Sequence, residues 1–503
     1  MDGETRLSLT MPAPEAAILA QRDDLIARLR AILPAASVIA DEVARRAYEC
    51  DGFTMYRQLP LVVVLPETVE QVSRIMALAQ ELNVKVVPRG GGTSLSGGSM
   101  PLADGILLAM GKFNRILEID EENRCVRVQP GVPNLAISKA VEASGFYYAP
   151  DPSSQIACSI GGNVGENAGG VHCLKYGLTT NNLLGLEVVL MGGDVVRLGG
   201  KHLDSEFYDL MGLMTGSEGL LGVITEVSVR ILRKPLVARG VLLGFPSVEA
   251  GGDCVAAIIA AGIIPGGMEM MDSPAILATE AFQACGYPLD AASLVIVELD
   301  GAPAEVDHLI ARVEAIAAGE GATYAKVSSS EAERLRFWAG RKNAFPAVGA
   351  IGPDYLCMDG TIPRKRLSEV LNRMTHLAAQ HSLRVANVFH AGDGNLHPLI
   401  LYDSSKPGDI ERAEAFGADI LRLCVEVGGV LTGEHGVGVE KRDLMGVMFN
   451  DGDLEQQQRV KCAFDPEHRL NPGKVFPTLN RCAELGQMHV TGGRLAFPDL
   501  PRF

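Results

Sequence analysis

The sequence contains no Cys-x-x-Cys pair, and its two nearest cysteines, Cys158 and Cys173, are fifteen positions apart. That spacing excludes a zinc ribbon, a self-ligated iron–sulfur cluster and a dense disulfide framework, so the ten cysteines read as reduced, mostly buried small hydrophobes. Positive charge is also short: 45 Lys and Arg face 61 Asp and Glu, a net charge of −16. This balance disfavours sequence-independent binding to nucleic acid or to an anionic membrane, because phosphates are held mainly by clustered cations. No apolar run approaches the ~20 residues of a membrane-spanning helix; the most apolar, Val255–Ile264, stops at Pro265. Residues 1–10 carry acids and lack the apolar core of a secretory signal, so the chain reads as soluble and cytoplasmic, with no transmembrane segment. Aromatics are few, with a single tryptophan, Trp338.

Glycine is abundant. The chain has 503 residues and 56 glycines, and 24 of them crowd into residues 90–222. Its length implies two or more packed domains. Residues 15–50 are amphipathic and helical in pattern. Leu61–Leu65 suits a buried strand, Glu67–Leu82 a helix and Val84–Val87 a second strand. More strand signals follow at Ile106–Met110, Arg115–Ile119, Cys125–Gln129, Leu186–Leu190, Val195–Leu198 and Val223–Leu232, with a hairpin turn at Met191-Gly192-Gly193-Asp194. After Arg233-Lys234-Pro235 the texture shifts to Ala-rich helical stretches, Val306–Ala318 and Asp409–Val427, between strand-like runs Leu294–Leu299, Val385–His390 and Pro398–Tyr402. These features divide the chain into an N-terminal helical segment (1–55), a first domain (56–234), a second domain (235–465) and a C-terminal segment (466–503).

Pro88-Arg89-Gly90-Gly91-Gly92-Thr93-Ser94-Leu95-Ser96-Gly97-Gly98 directly follows a strand. Consecutive glycines let backbone N–H groups converge on an anion, and the hydroxyls add donors, so the loop has the chemistry of a diphosphate cradle. It has neither a Walker lysine nor a Gly-x-Gly-x-x-Gly opening a helix, which weakens ATP and nicotinamide readings. Taken alone, the loop could equally be an ordinary flexible connection. Further small-residue loops follow at Pro150–Ser154, Ser159–Gly170 and Thr215–Thr225. Together they suit a long ligand such as a dinucleotide.

In order and spacing, these loops resemble the FAD-binding domain of the vanillyl-alcohol oxidase and p-cresol methylhydroxylase superfamily. The resemblance implies an α+β fold: a two-subdomain FAD-binding domain of the p-cresol methylhydroxylase (PCMH) type, then an α+β cap or substrate domain, then a C-terminal helical segment that returns to the FAD domain. By resemblance, Arg89, Gly90, Gly91, Gly92, Thr93, Gly97 and Gly98 hold the pyrophosphate. Pro150, Asp151, Ser154, Gly161, Gly162, Asn163, Asn167 and Gly169 line the flavin and ribityl region, and Gly222 and Ile224 pack near the adenine. Thr93 occupies the position at which some relatives carry a flavin-linking histidine, so the FAD is expected to be non-covalent.

The second half contains Asn387-Val388-Phe389-His390-Ala391-Gly392-Asp393-Gly394-Asn395-Leu396-His397-Pro398, in which a tight turn separates two histidines. Further on, Thr432-Gly433-Glu434-His435-Gly436 sets a carboxylate beside a third histidine. Two His and one Glu fit a divalent metal site with open positions. Histidines flanking a turn are also common as hydrogen-bonded structural residues, and Asp393 reads either as a ligand or as a turn residue.

These motifs, with the terminal Leu470-Asn471-Pro472-Gly473-Lys474-Val475, resemble FAD-linked D-2-hydroxy-acid dehydrogenases, a group that includes D-lactate and D-2-hydroxyglutarate dehydrogenases and bacterial glycolate oxidase subunits. The segments Trp338–Pro346 and Tyr355–Pro363 look most like the glycolate oxidase subunits. The resemblance implies a divalent metal, zinc or manganese, on His390, His397 and Glu434. It also implies a base at His435, a carboxylate-binding arginine at Arg341 and a cofactor-binding role for Asn471. A lysine found near Cys357 in the 2-hydroxyglutarate enzymes is missing, which favours a short monocarboxylate.

The expected reaction is oxidation of glycolate and D-lactate to the 2-oxo acid, with hydride passing to the flavin. Electrons then leave for a second flavin-type subunit and an iron–sulfur subunit of a glycolate oxidase complex, peripheral on the inner face of a bacterial membrane. The alternatives are a self-standing D-lactate dehydrogenase that reduces a quinone or cytochrome, a non-haem iron oxygenase using the same His–His–Glu set, and a catalytically silent flavoprotein subunit.

Overall fold

The computed structural model describes residues 11–202 and 208–477. Helices Ala16–Ala20, Arg22–Arg30 and Glu42–Arg45 form the described part of the N-terminal segment. They lead into a four-stranded sheet in the order Val38–Ile39, Val62–Val64, Gly105–Ala109, Lys85–Arg89. Its last three strands are parallel and buried on both faces, which explains their unbroken apolar runs. Helix Val69–Glu81, capped by the Thr68 hydroxyl, covers this sheet with Val72, Ile75, Met76 and Ala79.

A second, antiparallel sheet of five strands follows in the order Ile116–Asp120, Cys125–Val128, Val223–Arg230, Leu183–Val189, Val195–Gly199. Its hairpin turns at Gly193, where φ is +91°. The C-terminal segment returns to the first sheet: Val86 donates to the Arg469 carbonyl at 2.7 Å, and Asn471 donates to the Val86 carbonyl at 2.7 Å. The last described helix is Asp451–Phe464, and any helix beyond residue 477 lies outside the described residues.

The second half is built on one antiparallel sheet of seven strands. Their order is Tyr324–Val327, Val237–Phe245, Ser293–Gly301, Gly267–Asp272, Arg384–His390, Asn395–Tyr402, Asp354–Cys357. Alternate residues of one strand serve different cores. Val295, Val297 and Leu299 pack under helices Val248–Ala260, Pro303–Gly319, Leu367–His381 and Asp409–Glu426, while Leu294 and Ile296 face helices Ser273–Phe282 and Glu331–Lys342. Both faces are covered, so these strands show continuous apolar runs rather than alternation.

Eight cysteines, at 50, 125, 158, 173, 254, 285, 357 and 424, are free thiols. Cys462 is disulfide-bonded, which corrects the reading that all ten are reduced. No helix among the described residues is long and apolar enough to cross a membrane.

Candidate active site

The register of the large sheet assembles the site. In an antiparallel pair, directly opposed residues share a face. His397 opposes Val388, and His390 lies two residues beyond Val388, so the two imidazoles project from the same face with ring centres 5.0 Å apart. On the other side of His390, strand Gly267–Asp272 pairs Met270 with Phe389, so Glu269 falls beside His390. Beyond His397, strand Asp354–Cys357 pairs Cys357 with Leu399, which brings Asp359 level with His397.

Glu434 and His435 arrive from a loop that Asp359 organises. The Asp359 carboxylate is fully buried and accepts from the backbone N–H of Gly433, Glu434 and His435 and from the Thr432 hydroxyl. Lys441 Nζ, also buried, lies 3.3 Å from it. From the first half, Glu218 accepts from the N–H groups of Val437 and Gly438, each at 2.7 Å, and so ties the loop to the first domain. Gly169 makes room for the cluster, since a Cβ there would stand 2.5 Å from Glu434 Oε2.

His390 Nε2 and His397 Nε2 lie 3.1 and 3.3 Å from the same oxygen, Glu434 Oε1. His390 Nδ1 donates to Glu269 Oε1 at 2.6 Å, which turns its Nε2 toward Glu434. Two imidazole nitrogens facing one carboxylate oxygen need a proton or a cation between them, and His390, His397 and Glu434 lie close enough together that they could hold a metal ion. Burial opposes charge on His390, but Glu269 and Glu434 outweigh it and push its pKa well above the ordinary value. Burial likewise opposes charge on Glu434, but His390, His397 and His435 hold its carboxyl down at about 2. His435 stacks on His397 at 4.7 Å and 6°. Burial, helped by His397, prevails over Asp359 and Glu434 and lowers His435 to about 4, leaving it neutral at pH 7.

The glycine loops meet this cluster in one cavity of about 420 Å³. Arg89, Gly90, Gly91, Gly92, Thr93, Gly98, Ser154, Gly161, Gly162, Asn163, Gly222 and Ile224 line it, together with His397, Glu434 and His435. It also fits a flat cofactor against backbone. A Cβ on Gly165, a lining residue, would meet nothing within 4 Å, whereas one on Gly91 would strike the Ala157 carbonyl at 2.6 Å. The first glycine leaves ligand space, and the second lets two loops pack.

The other residues singled out in the sequence stand outside the lining. A Cβ on Gly97 would meet Val439. The Pro150 carbonyl accepts from Asn134. Asp151 holds His172, and Asn167 ends helix Ile160–Glu166 in a left-handed conformation. Asn471 Nδ2 donates to the carbonyls of Gly98 at 2.9 Å and Glu218 at 2.6 Å, so it fixes two cavity loops from behind. His390 sits behind the lining as well. Arg341, 1% exposed, donates through Nε to Glu269 at 2.7 Å, and its neighbour Lys342 reaches the lining. Asp393 accepts from Asn395 N within the turn and is absent from the metal-compatible clusters.

Sequence reasoning missed Glu269, Asp359 and Glu166. Glu269 had a readable signal, a lone carboxylate inside the strand-like run Met268–Met271. Glu166 lines the cavity; burial, reinforced by Glu218, pushes its pKa well above that of an ordinary carboxyl.

Comparison with known proteins agrees with this arrangement. Residues 60–199 match the FAD binding domain family, and residues 234–475 match the C-terminal domain of FAD linked oxidases. The glycolate oxidase subunit GlcD of Escherichia coli (strain K12) is 56% identical over 96% of this chain and 97% of its own length. The D-lactate dehydrogenase of Anaerostipes hadrus is 30% identical over 90% of this chain and 97% of its own. Among solved structures, p-cresol methylhydroxylase shares the fold with a TM-score of 0.78, at 16% identity over 94% of this chain and all of that one. The non-haem iron oxygenase alternative is not supported: His397 and Glu434 line a cavity shared with the glycine loops, and residues 60–199 match the FAD binding domain family. The chain belongs to the FAD-linked oxidase family.

Proposed function

We propose that this chain oxidises glycolate, and D-lactate, to the 2-oxo acid and passes the electrons to a partner subunit. The observation that carries the proposal is the sharing of one cavity by the glycine loops and by His397, Glu434 and His435. When bound, FAD on the loops supplies a hydride acceptor, and a divalent cation on His390, His397 and Glu434 supplies a Lewis acid that acidifies a hydroxyl.

The chain's own residues do the rest. Neutral His435 takes the hydroxyl proton, with its ring held by stacking on His397 and its backbone N–H by Asp359. By resemblance Arg341 is assigned the substrate carboxylate, which it would reach from behind the cavity lining. Glu269 fixes its guanidinium through Nε, and its buried Nη2 has no hydrogen-bond partner among the described residues. Arg89, whose Nη1 is anchored on the Cys50 carbonyl at 2.7 Å, places a cation at the pyrophosphate loop. FAD is taken as non-covalent, since residue 93 is threonine.

A relative that is itself named a subunit supports electron transfer to a partner; by resemblance that partner is taken as a second flavin-type subunit and an iron–sulfur subunit at the membrane face. The self-standing D-lactate dehydrogenase reading differs in one outcome, brisk turnover by the single chain with a quinone analogue. The direct test is anaerobic flavin bleaching of the purified chain by glycolate, each lactate enantiomer and 2-hydroxyglutarate. Bleaching by glycolate and D-lactate but not by 2-hydroxyglutarate is expected. A protein without flavin bands, or one that no 2-hydroxy acid bleaches, would refute the proposal.

A further inference from the structure

Beside the histidines the cavity has an aromatic wall. Phe345, on helix Ala344–Val348, lines the cavity along with His397, Glu434 and His435. Its ring meets the His397 ring edge-on, with centres 6.4 Å apart and planes at 69°. His397 in turn stacks on His435 at 4.7 Å, so Phe345, His397 and His435 form one row of rings. Tyr355, from the edge strand of the large sheet, backs Phe345 at 6.1 Å and 72°. Phe345 is therefore held between a candidate metal ligand and a second aromatic, and anything seated on His397, Glu434 and His435 has this ring as its neighbour. Cys357, two residues beyond Tyr355 on the same strand, is buried with its thiol directed to the Met358 carbonyl, and it does not line the cavity.

From this placement we infer that Phe345 is a specificity-determining residue that limits the length of the group on C2 of the hydroxy acid. The inference rests on the proposed oxidation of 2-hydroxy acids and adds to it the substrate class: hydrogen or methyl on C2 fits, and a longer unbranched chain meets the Phe345 ring. A well-packed wall discriminates by about 10-fold or more per methylene. Removing the ring opens the space it fills and keeps every candidate ligand and the proton acceptor in the chain, at the cost of one edge contact on His397.

The test uses the FAD-loaded, metal-loaded chain and a length series: glycolate, D-lactate, D-2-hydroxybutyrate and D-2-hydroxyhexanoate. Anaerobic flavin reduction is followed for each. Dissociation constants of the matching 2-oxo acids are read separately, from perturbation of the flavin spectrum without turnover. In Phe345→Ala, the preference for glycolate over the six-carbon acid should fall by about 10-fold or more, and the six-carbon 2-oxo acid should bind correspondingly tighter. Phe345→Leu should give a smaller shift in the same direction. A ratio that stays within about twofold of the parent in Phe345→Ala overturns the inference. If that variant fails to retain flavin, an unchanged ratio in Phe345→Leu overturns it. Should the parent be bleached by no member of the series, the reading of the site itself fails, an outcome distinct from failure of the Phe345 assignment.

Discussion

The two halves of the molecule build their sides of the cavity in opposite ways. The first half presents backbone: successive glycines, hydroxyls and amides on loops between strands, with the ligand-facing surface read almost directly from consecutive residues. The second half presents side chains drawn from distant positions. Glu269, Asp359, His390, His397 and Glu434 are joined only by sheet register and by a loop that Asp359 holds. A backbone cradle needs little titratable chemistry, because N–H donors keep one charge state. An acid–base site needs charges that would be unstable in isolation, so each buried group there has a counter-group: Arg341 with Glu269, Glu269 with His390, His390 with Glu434.

The contrast predicts different failures for the two sides. The largest effect is expected from Glu434→Gln, which removes the negative oxygen on which both imidazoles converge. Flavin reduction by glycolate should slow by about 10³-fold while FAD content stays at the parent level. Loss of FAD in that variant would break the separation between the two sides. Next in size is Glu269→Gln, which leaves the candidate ligands in place but weakens the hold on His390. Metal affinity, measured by competition with a chelator, should fall about 10- to 100-fold. An unchanged affinity would mean that Glu269 serves only Arg341.

On the backbone side, Gly165→Ala sharpens the comparison. Its Cβ enters open cavity, so FAD affinity should drop by about tenfold, while thermal unfolding of the FAD-free chain stays unchanged or rises slightly because alanine favours a helix. Reduced stability of the FAD-free chain would show that the space belongs to the protein rather than to its ligand.

A smaller effect tests the seam between the halves. His172 bonds Asp151 of the first half at 2.9 Å and Glu298 of the second at 3.1 Å. Burial opposes its charge, but these two carboxylates raise its pKa from 6.5 to about 10. A group raised on folding adds stability that is complete below pH 6.5 and lost as pH climbs through about 10. Glu298, buried yet lowered from 4.5 to about 2 by His172 and Arg334, adds stability that is present above pH 4.5 and lost as pH falls through about 2. Thermal unfolding should therefore show a loss between pH 6.5 and 10 that His172→Gln flattens.

Legibility in the sequence follows the same division. The strand at Leu61–Leu65, the helix after it and the glycine turn at 191–194 were readable because each is specified by neighbours in the chain. His390 and His397 were readable as a pair because one hairpin carries both. The strands Val237–Phe245 and Gly267–Asp272 went unread, since a strand covered on both faces shows no alternation and, in short stretches, cannot be told from a buried helix. Asp359 was invisible as a site residue for a different reason, and Glu269 showed only as a lone carboxylate in an apolar run: their partners are set by strand order, which spacing along the chain does not encode. Arg341 shows the limit of motif reading, because the motif gives the residue but not the Glu269 carboxylate that engages it.

Both halves of the molecule must act on one substrate, and the most direct measurement is anaerobic flavin reduction by glycolate before metal removal, after chelation and after zinc or manganese is restored. The predicted result is a rate that falls by about 100-fold or more on chelation, with FAD retained, and returns when the metal is added back. An unchanged rate in protein shown to be free of metal would contradict it.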